Sequence, residues 1–196
     1  MRLKKLSDLA VSMGMPAIAV TDTNNMFCAM EFSEAASKAG IQPIIGCQVD
    51  MAYDSAPATE KPRAPAALVL LAQNERGYEN LMALNSCLYL DSDGTLPQVQ
   101  MAQLAAHAEG VICLTGGPNG PLGKLLQNGQ TAKAQALLEG LVQAFGDRLY
   151  VELQRHPSED GRMPDAERLS ERGLVEMAYV MDLPLVATND VYFPKP

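Results

Sequence analysis

The stretch Ala17-Ile18-Ala19-Val20-Thr21-Asp22 is a short aliphatic run that ends on a carboxylate. Six such apolar runs recur along the chain; the fifth leads into Glu152-Leu153-Gln154-Arg155-His156 and the last into Ala187-Thr188-Asn189-Asp190. Segments of helical spacing separate them. Strands that alternate with helices build a parallel sheet or barrel, and such folds place their sites at the carboxyl ends of the strands. On that reading Asp22, His156 and Asp190 share one rim and are candidate metal ligands. Singly, each could as well cap a helix or turn the chain; their repetition at strand ends is what favours a common site.

Upstream of the first run, Leu3, Leu6, Leu9, Ala10 and Met13 recur at helical spacing, and Gly14 with Pro16 ends the helix. Downstream, Asp22-Thr23-Asn24-Asn25 supplies a loop and an N-cap, residues 27–39 read as a helix, and Gly40 stands where a C-terminal glycine belongs. Further strands fall at 44–49, 67–71, 111–115, 149–153 and 185–188, and further helices at 77–90, 101–108, 131–145 and 164–181. Met26, Met30, Met82 and Met177 sit at core spacings of these helices and read as packing residues. Residues 54–65 turn to Ser, Ala, Thr and Pro, the composition of a mobile surface loop and not of a domain boundary, so 1–196 reads as one α/β domain.

Composition narrows the function classes. Hydrophobic residues make up 47% of the chain but aromatics only 5%, with no Trp, so the core is built from Leu, Val, Ala and Met, as in proteins with aliphatic strands. A net charge of −8 argues against a segment that grips a phosphate backbone by itself, because such affinity comes from Lys and Arg displacing counterions. Cys28, Cys47, Cys87 and Cys113 lack Cys-x-x-Cys spacing and sit among apolar neighbours, the pattern of buried reduced thiols in a cytoplasmic protein and not of a zinc site or disulfides. No apolar stretch approaches the roughly 20 residues of a membrane helix, and Met1-Arg2-Leu3-Lys4-Lys5 runs into Ser7-Asp8, too polar for a signal peptide.

Two features read as ordinary turns and surfaces. Gly116-Gly117-Pro118-Asn119-Gly120 lacks the Lys-Ser/Thr of a P-loop and the glycine spacing of a dinucleotide site, which leaves a plain strand-to-helix turn. His107, just ahead of Glu109-Gly110, reads as a solvated histidine near a helix end.

Three further segments carry a resemblance. The run 15–22 with Asn25-Met26-Phe27, the run 39–47 ending in Ile44-Ile45-Gly46-Cys47, and Leu70-Leu71-Ala72-Gln73-Asn74 with Gly77-Tyr78-Glu79-Asn80-Leu81 resemble, in order, the PHP (polymerase and histidinol phosphatase) domain at the amino end of bacterial DNA polymerase III alpha subunits. Glu152-Leu153-Gln154-Arg155-His156 and Val186-Ala187-Thr188-Asn189-Asp190-Val191 continue the match. The resemblance implies a distorted seven-stranded βα barrel, of which this chain carries six strands. The family's first strand, with its His-x-His, would lie upstream of Met1, so the first and last strands here would be open edges.

Active members of that family are similar in holding up to three metal ions on a rim of His, Asp and Glu, and some are exonucleases or phosphoesterases. By the resemblance, Thr23 stands where the family has His, Gln48 where it has Glu, Ala67 where it has His, Gly117 where it has Cys, and Tyr192 where it has His. Asp22, His156 and Asp190 remain. Two or three divalent ions need several anionic and imidazole ligands, so this set would hold one weak Zn, Mn or Mg ion at best, and no cofactor is expected.

Two function classes follow. One is a catalytically degenerate scaffold of a replicative polymerase, whose implied partners are the remaining alpha domains and the proofreading exonuclease subunit, with DNA met through the parent polymerase. Its expected partner surface is the outer face of the helix at 164–181, with Glu167, Arg168, Glu171 and Arg172. The other is a metal-dependent phosphoesterase or 3′-5′ exonuclease using the reduced set. An unrelated metabolic barrel enzyme would need a coherent acid/base pair, which the sequence does not offer.

Overall fold

The computed structural model describes residues 3–53, 64–91, 96–156 and 161–189. Within them the aliphatic runs form six strands in one sheet, ordered β1-β2-β3-β4-β5-β6: β1 Ala17–Val20, β2 Gln42–Met51, β3 Ala66–Ala72, β4 Val111–Leu114, β5 Leu149–Leu153 and β6 Leu185–Ala187. The helices are α1 Leu3–Ser12, α2 Ala29–Lys38, α3 Glu75–Leu90, α4 Met101–Ala106, α5 Pro121–Gln127, α6 Thr131–Phe145 and α7 Asp165–Val180.

The sheet is not uniformly parallel, which corrects the simple strand-helix alternation. β1 pairs parallel with β2, and β4 with β5 and β5 with β6, but β3 runs antiparallel to both β2 and β4. The sequence carries a hint of it, since residues 52–65 lack the apolar helical period that a parallel crossover uses; of the loop expected at 54–65, residues 54–63 lie outside the described residues. Once β3 is reversed, β4 resumes the original direction. Among the described residues β1 and β6 each have one strand neighbour and stand at the edges of the sheet.

The main core lies between this sheet and α3, α4, α5, α6 and α7, with Leu68, Leu70, Leu84, Val111, Leu138 and Phe145 among its buried side chains. A second cluster joins Ala10 of α1 to Phe32 and Ala36 of α2 and to Ile41, with Ile18, Val20 and Ile45 packed against it. Its four buried residues are few beside those of the main core, so β1 and its two helices are the lightly anchored side of the molecule.

Several details depart from the sequence reading. α5 follows the Gly116–Gly120 turn where only a turn was expected; Gly117–Asn119 form a single 3-10 turn, and Pro121 opens the helix at its first position. A helix of two turns containing Gly123 has too short a period to declare itself, and Gly123 is required because a Cβ there would lie 2.4 Å from the Gly117 carbonyl oxygen. Met30 and Met82 are 77% and 44% exposed, so they are surface residues, whereas Met177 is buried and Met26 packs on the core. All four cysteines are free thiols; Cys47 and Cys113 are buried, but Cys28 and Cys87 are only partly so. His107 is the C-cap of α4, and its Nδ1 lies 2.9 Å from the Gln103 carbonyl oxygen.

The amino end of α3 shows how tightly the sheet and helices are joined. Asn74 caps it, its Oδ1 accepting from the Gly77 N–H at 3.0 Å, and the Asn80 amide donates to the Glu109 carbonyl at 2.8 Å. Helix and loop touch backbone to backbone: a Cβ on Gly77 would fall 1.8 Å from the Gly110 oxygen, a clash that only displacement of α3 relieves. Gly77→Ala is therefore expected to cost roughly 3 kcal/mol. Gly129→Ala, at φ +69° with open space around it, should cost only about 1 kcal/mol of backbone strain. Urea midpoints of the two variants check the order.

Candidate functional site

The five parallel-running strands end on one side of the sheet, and the polar residues that follow them form the rim. At the β1 side the chain continues one step past the strands: the Gln48 N–H donates to the Asp22 carbonyl at 3.0 Å and the Asn24 N–H to the Gln48 carbonyl at 2.8 Å. This brings Thr23 beside Gln48, and the Thr23 hydroxyl donates to the Gln48 Oε1 at 3.2 Å. Asn24, with φ +55°, turns its amide onto β2, giving an N–H to Asp50 Oδ2 at 2.8 Å and accepting the Asp50 N–H at 2.9 Å.

Asp22 is exposed, and it does not cap α2. The N-cap is Cys28, without a side-chain cap bond, and its thiol donates to Asp22 Oδ2 at 2.9 Å. Burial, reinforced by the hydrogen bond and negative charge of Asp22, pushes the Cys28 thiol up to about 11. Cys47, fully buried beneath the same loop, is likewise raised, burial first. Its Sγ sits 3.2 Å from the Asp22 carbonyl oxygen and 3.4 Å from that of Asn25.

At the other side of the sheet the centre is Glu152, on β5 and 2% exposed. Its Oε2 accepts the Gly116 N–H at 2.9 Å; its Oε1 accepts from the Thr188 hydroxyl and from the Gln154 amide, the latter at 3.3 Å. The Glu152 N–H in turn donates to Thr115 Oγ1 at 2.9 Å. The glycine turn after β4 is thus stapled by a carboxylate, which takes up the Gly116 N–H. Gly117 is covered by Gln154, whose Cδ would lie 3.2 Å from a Cβ at that position.

His156 leaves β5 toward α7. Its backbone N–H donates to both oxygens of Glu167, at 3.1 and 3.0 Å, and its Nδ1 lies 2.9 Å from Glu167 Oε1. The imidazole is 42% exposed while the Glu167 side chain is 5% exposed. Next to it Arg155 makes a two-pronged pair with Glu171 at 2.9 and 2.5 Å, and the hydrogen bond from Arg155 holds the Glu171 carboxyl below its ordinary range. These contacts correct the expected partner surface on α7: Glu167 and Glu171 are turned onto His156 and Arg155, just past the end of β5, and Arg168 and Arg172 alone of that set are exposed.

Of the three expected ligands, Asp22 follows β1 and His156 follows β5, with three strands of the sheet between them; Asp190 lies outside the described residues. Among the described residues no three His, Cys, Asp or Glu side chains come together as a metal group. Sequence reasoning passed over Glu152, Asn24 and Asp50 as site residues and set Glu167 on an outer surface, whereas it is buried. Glu152 had a usable signal, a charged residue inside the apolar run 149–153. Glu167, in the first turn of a helix after a proline, looks like any solvated helix-start acid.

The fold of this chain is similar to that of two solved structures. One is a presumed metal-dependent phosphoesterase from Bifidobacterium adolescentis, 13% identical, with a TM-score of 0.53 over 96% of this chain and 81% of that one. The other is an amidohydrolase from Chromobacterium violaceum, 12% identical, with a TM-score of 0.54 over 100% and 84%. At that identity the likeness speaks to fold alone. Residues 1–156 match the PHP domain, and the chain belongs to that family. More particularly, it is similar along nearly all of its length to DNA polymerase III subunit alpha: 47% identical to that of Caulobacter vibrioides over 98% of the chain, and 37% to those of Treponema pallidum and Pseudomonas aeruginosa over 98% and 99%. The chain spans about 16% of the length of these relatives.

Glu152→Ala removes the acceptor of three donors at once and is expected to cost roughly 2–4 kcal/mol, read from chemical denaturation. Cys28 offers a milder check. With its thiol at about 11, alkylation at pH 8 should run roughly a hundredfold slower than for an ordinary cysteine, and Asp22→Asn should speed it.

Proposed function

We propose that this chain acts as a catalytically degenerate PHP module of a replicative DNA polymerase, a scaffold for the polymerase domains of the same polypeptide and for a separate proofreading exonuclease. The observation that carries the reading is the Thr23–Gln48 hydrogen bond. At two positions where the resembling family carries His and Glu, this chain has neutral side chains, and they bond to one another. Gly117 and Ala67 offer no donor at two more positions, and the Gly117 site is filled by Gln154. Such residues do not fit a cluster of two or three divalent ions, whose charge has to be balanced by carboxylates and imidazoles. A fold outlives the chemistry once carried on it when it still supports neighbouring structure.

The similarity to alpha subunits supports the polymerase context, and a chain of net charge −8 fits a module that leaves DNA to other regions. Tyr179 and Val180, 77% and 80% exposed at the end of α7, and Leu169 on the same helix offer apolar surface of the kind that domain contacts use.

One observation favours the alternative, a metal-dependent phosphoesterase or exonuclease. The Nδ1 of His156 is held by the buried Glu167, and metal-ligating histidines are often oriented by a carboxylate in this way. A single assay separates the readings. Purified protein with Mn²⁺ or Zn²⁺ and a 3′-mismatched primer, without added exonuclease, is expected to show no cleavage, and calorimetry no micromolar binding of either ion. Metal-dependent cleavage or binding that is lost in a folded His156→Ala variant establishes the nuclease instead.

A further inference from the structure

Asn24 makes four hydrogen bonds on the rim. Its N–H reaches the Gln48 carbonyl, its carbonyl accepts from the Tyr89 hydroxyl of α3 at 2.9 Å, its Nδ2 donates to Asp50 and its Oδ1 accepts from the Asp50 N–H. All four polar groups of one residue are thus spent on β2 and α3. The conformation that allows this, φ +55°, is one that asparagine tolerates better than most side chains. Around it lie Thr23 bonded to Gln48, and Asn25, whose Nδ2 donates to the Thr23 carbonyl at 3.0 Å while its Oδ1 accepts the Phe27 N–H at 3.2 Å.

The same edge of β2 is held again just beyond, where the Val99 N–H donates to the Asp50 carbonyl at 2.8 Å and the Ala52 N–H to the Val99 carbonyl at 3.0 Å. Asp50 therefore joins the loop after β1 to a second segment, 97–100. By contrast β1 itself is a four-residue edge strand over the smaller core cluster. Without the loop contacts little besides β1–β2 pairing and the α1–α2 packing would hold it in place.

We infer that Asn24, through its reciprocal pair with Asp50, is the positioning residue of a polar clasp that fastens the β1–α2 loop where the resembling family uses metal ligands. The inference rests on the metal-free reading of the rim but fails separately from it. The pair has a chemical signature that ordinary packing lacks: an amide faces a carboxylate, so exchanging the two side chains preserves one amide N–H and one carboxylate acceptor across the gap, whereas making both acids does not.

The test uses the full-length natural protein. Asn24→Asp places two carboxylates together and is expected to lower Tm by several degrees and to speed backbone hydrogen exchange in residues 22–32 roughly tenfold. Adding Asp50→Asn to it should restore most of both. Asn24→Gly keeps the backbone conformation without the side chain and covers the case in which Asn24→Asp does not fold; it should speed exchange in the same residues. Unchanged exchange in Asn24→Asp and Asn24→Gly, or no rescue by the exchanged pair, overturns the clasp. EDTA added to the unsubstituted protein is expected to change neither readout. A fall in Tm with EDTA, reversed by Zn²⁺ or Mn²⁺, shows that a metal fastens the rim and overturns the metal-free reading itself.

Discussion

Glu152 is a carboxylate buried in the sheet with no cationic partner among the described residues. Taking such a group out of water costs several kcal/mol unless hydrogen bonds replace its hydration, so its surroundings are constrained to supply donors. They come from Gly116 after β4, from Gln154 after β5 and from Thr188 after β6. Three strand ends are thereby fixed relative to one acid. The consequence reaches α5 and α7: the glycine turn that Glu152 holds leads directly into α5, and α5 packs on α7, which closes over the end of β5.

The β1 side obeys a different constraint. Here β1 is short and at the edge, and the side-chain hydrogen bonds of the loop are between neutral side chains or between an amide and a carboxylate that water can reach in part. Individually such bonds contribute about 1 kcal/mol each. They matter because they are gathered on a segment with little other anchorage. The molecule thus has a rigid side, built on a fully desolvated acid and the larger core, and a side whose order depends on a few polar contacts.

The strand pattern was readable because buried strands are continuous aliphatic runs, and β5 and α6 fall at the residues read from the sequence. The reversal of β3 was not, since period and composition say nothing of direction; only the lack of a helical period in 52–65 hints at it. The site was legible as a list of strand-end positions but not as a set of contacts. Asp22 is indeed on the rim, yet no feature of the sequence shows that Cys28 satisfies it. Methionine spacing misled for Met30 and Met82, because on a two-faced helix the residue one step from the apolar stripe has nearly the same spacing as one within it. Asn24 was invisible for a related reason: asparagine is common in loops, and only its backbone angle distinguishes a keystone from a turn residue.

The acids of the rim explain how such a site stays folded. A cluster of carboxylates and imidazoles built for divalent ions repels itself when no ion is bound, and each like-charged neighbour adds to the cost. In this chain each acid of the rim that the structure describes has an internal donor: Asp22 the Cys28 thiol, Asp50 the Asn24 amide, Glu152 its three neutral donors, Glu167 the backbone and ring of His156, and Glu171 the guanidinium of Arg155. The acids are consequently dispersed into separate pairs along the rim instead of facing a common point. That dispersal is what a scaffold requires, because every carboxylate is stabilised by a group of the chain itself, and the same dispersal removes the convergent charge that a multinuclear metal site would need. On the proposed reading, the loss of chemistry and the stability of the rim are two results of one rearrangement of hydrogen-bond donors.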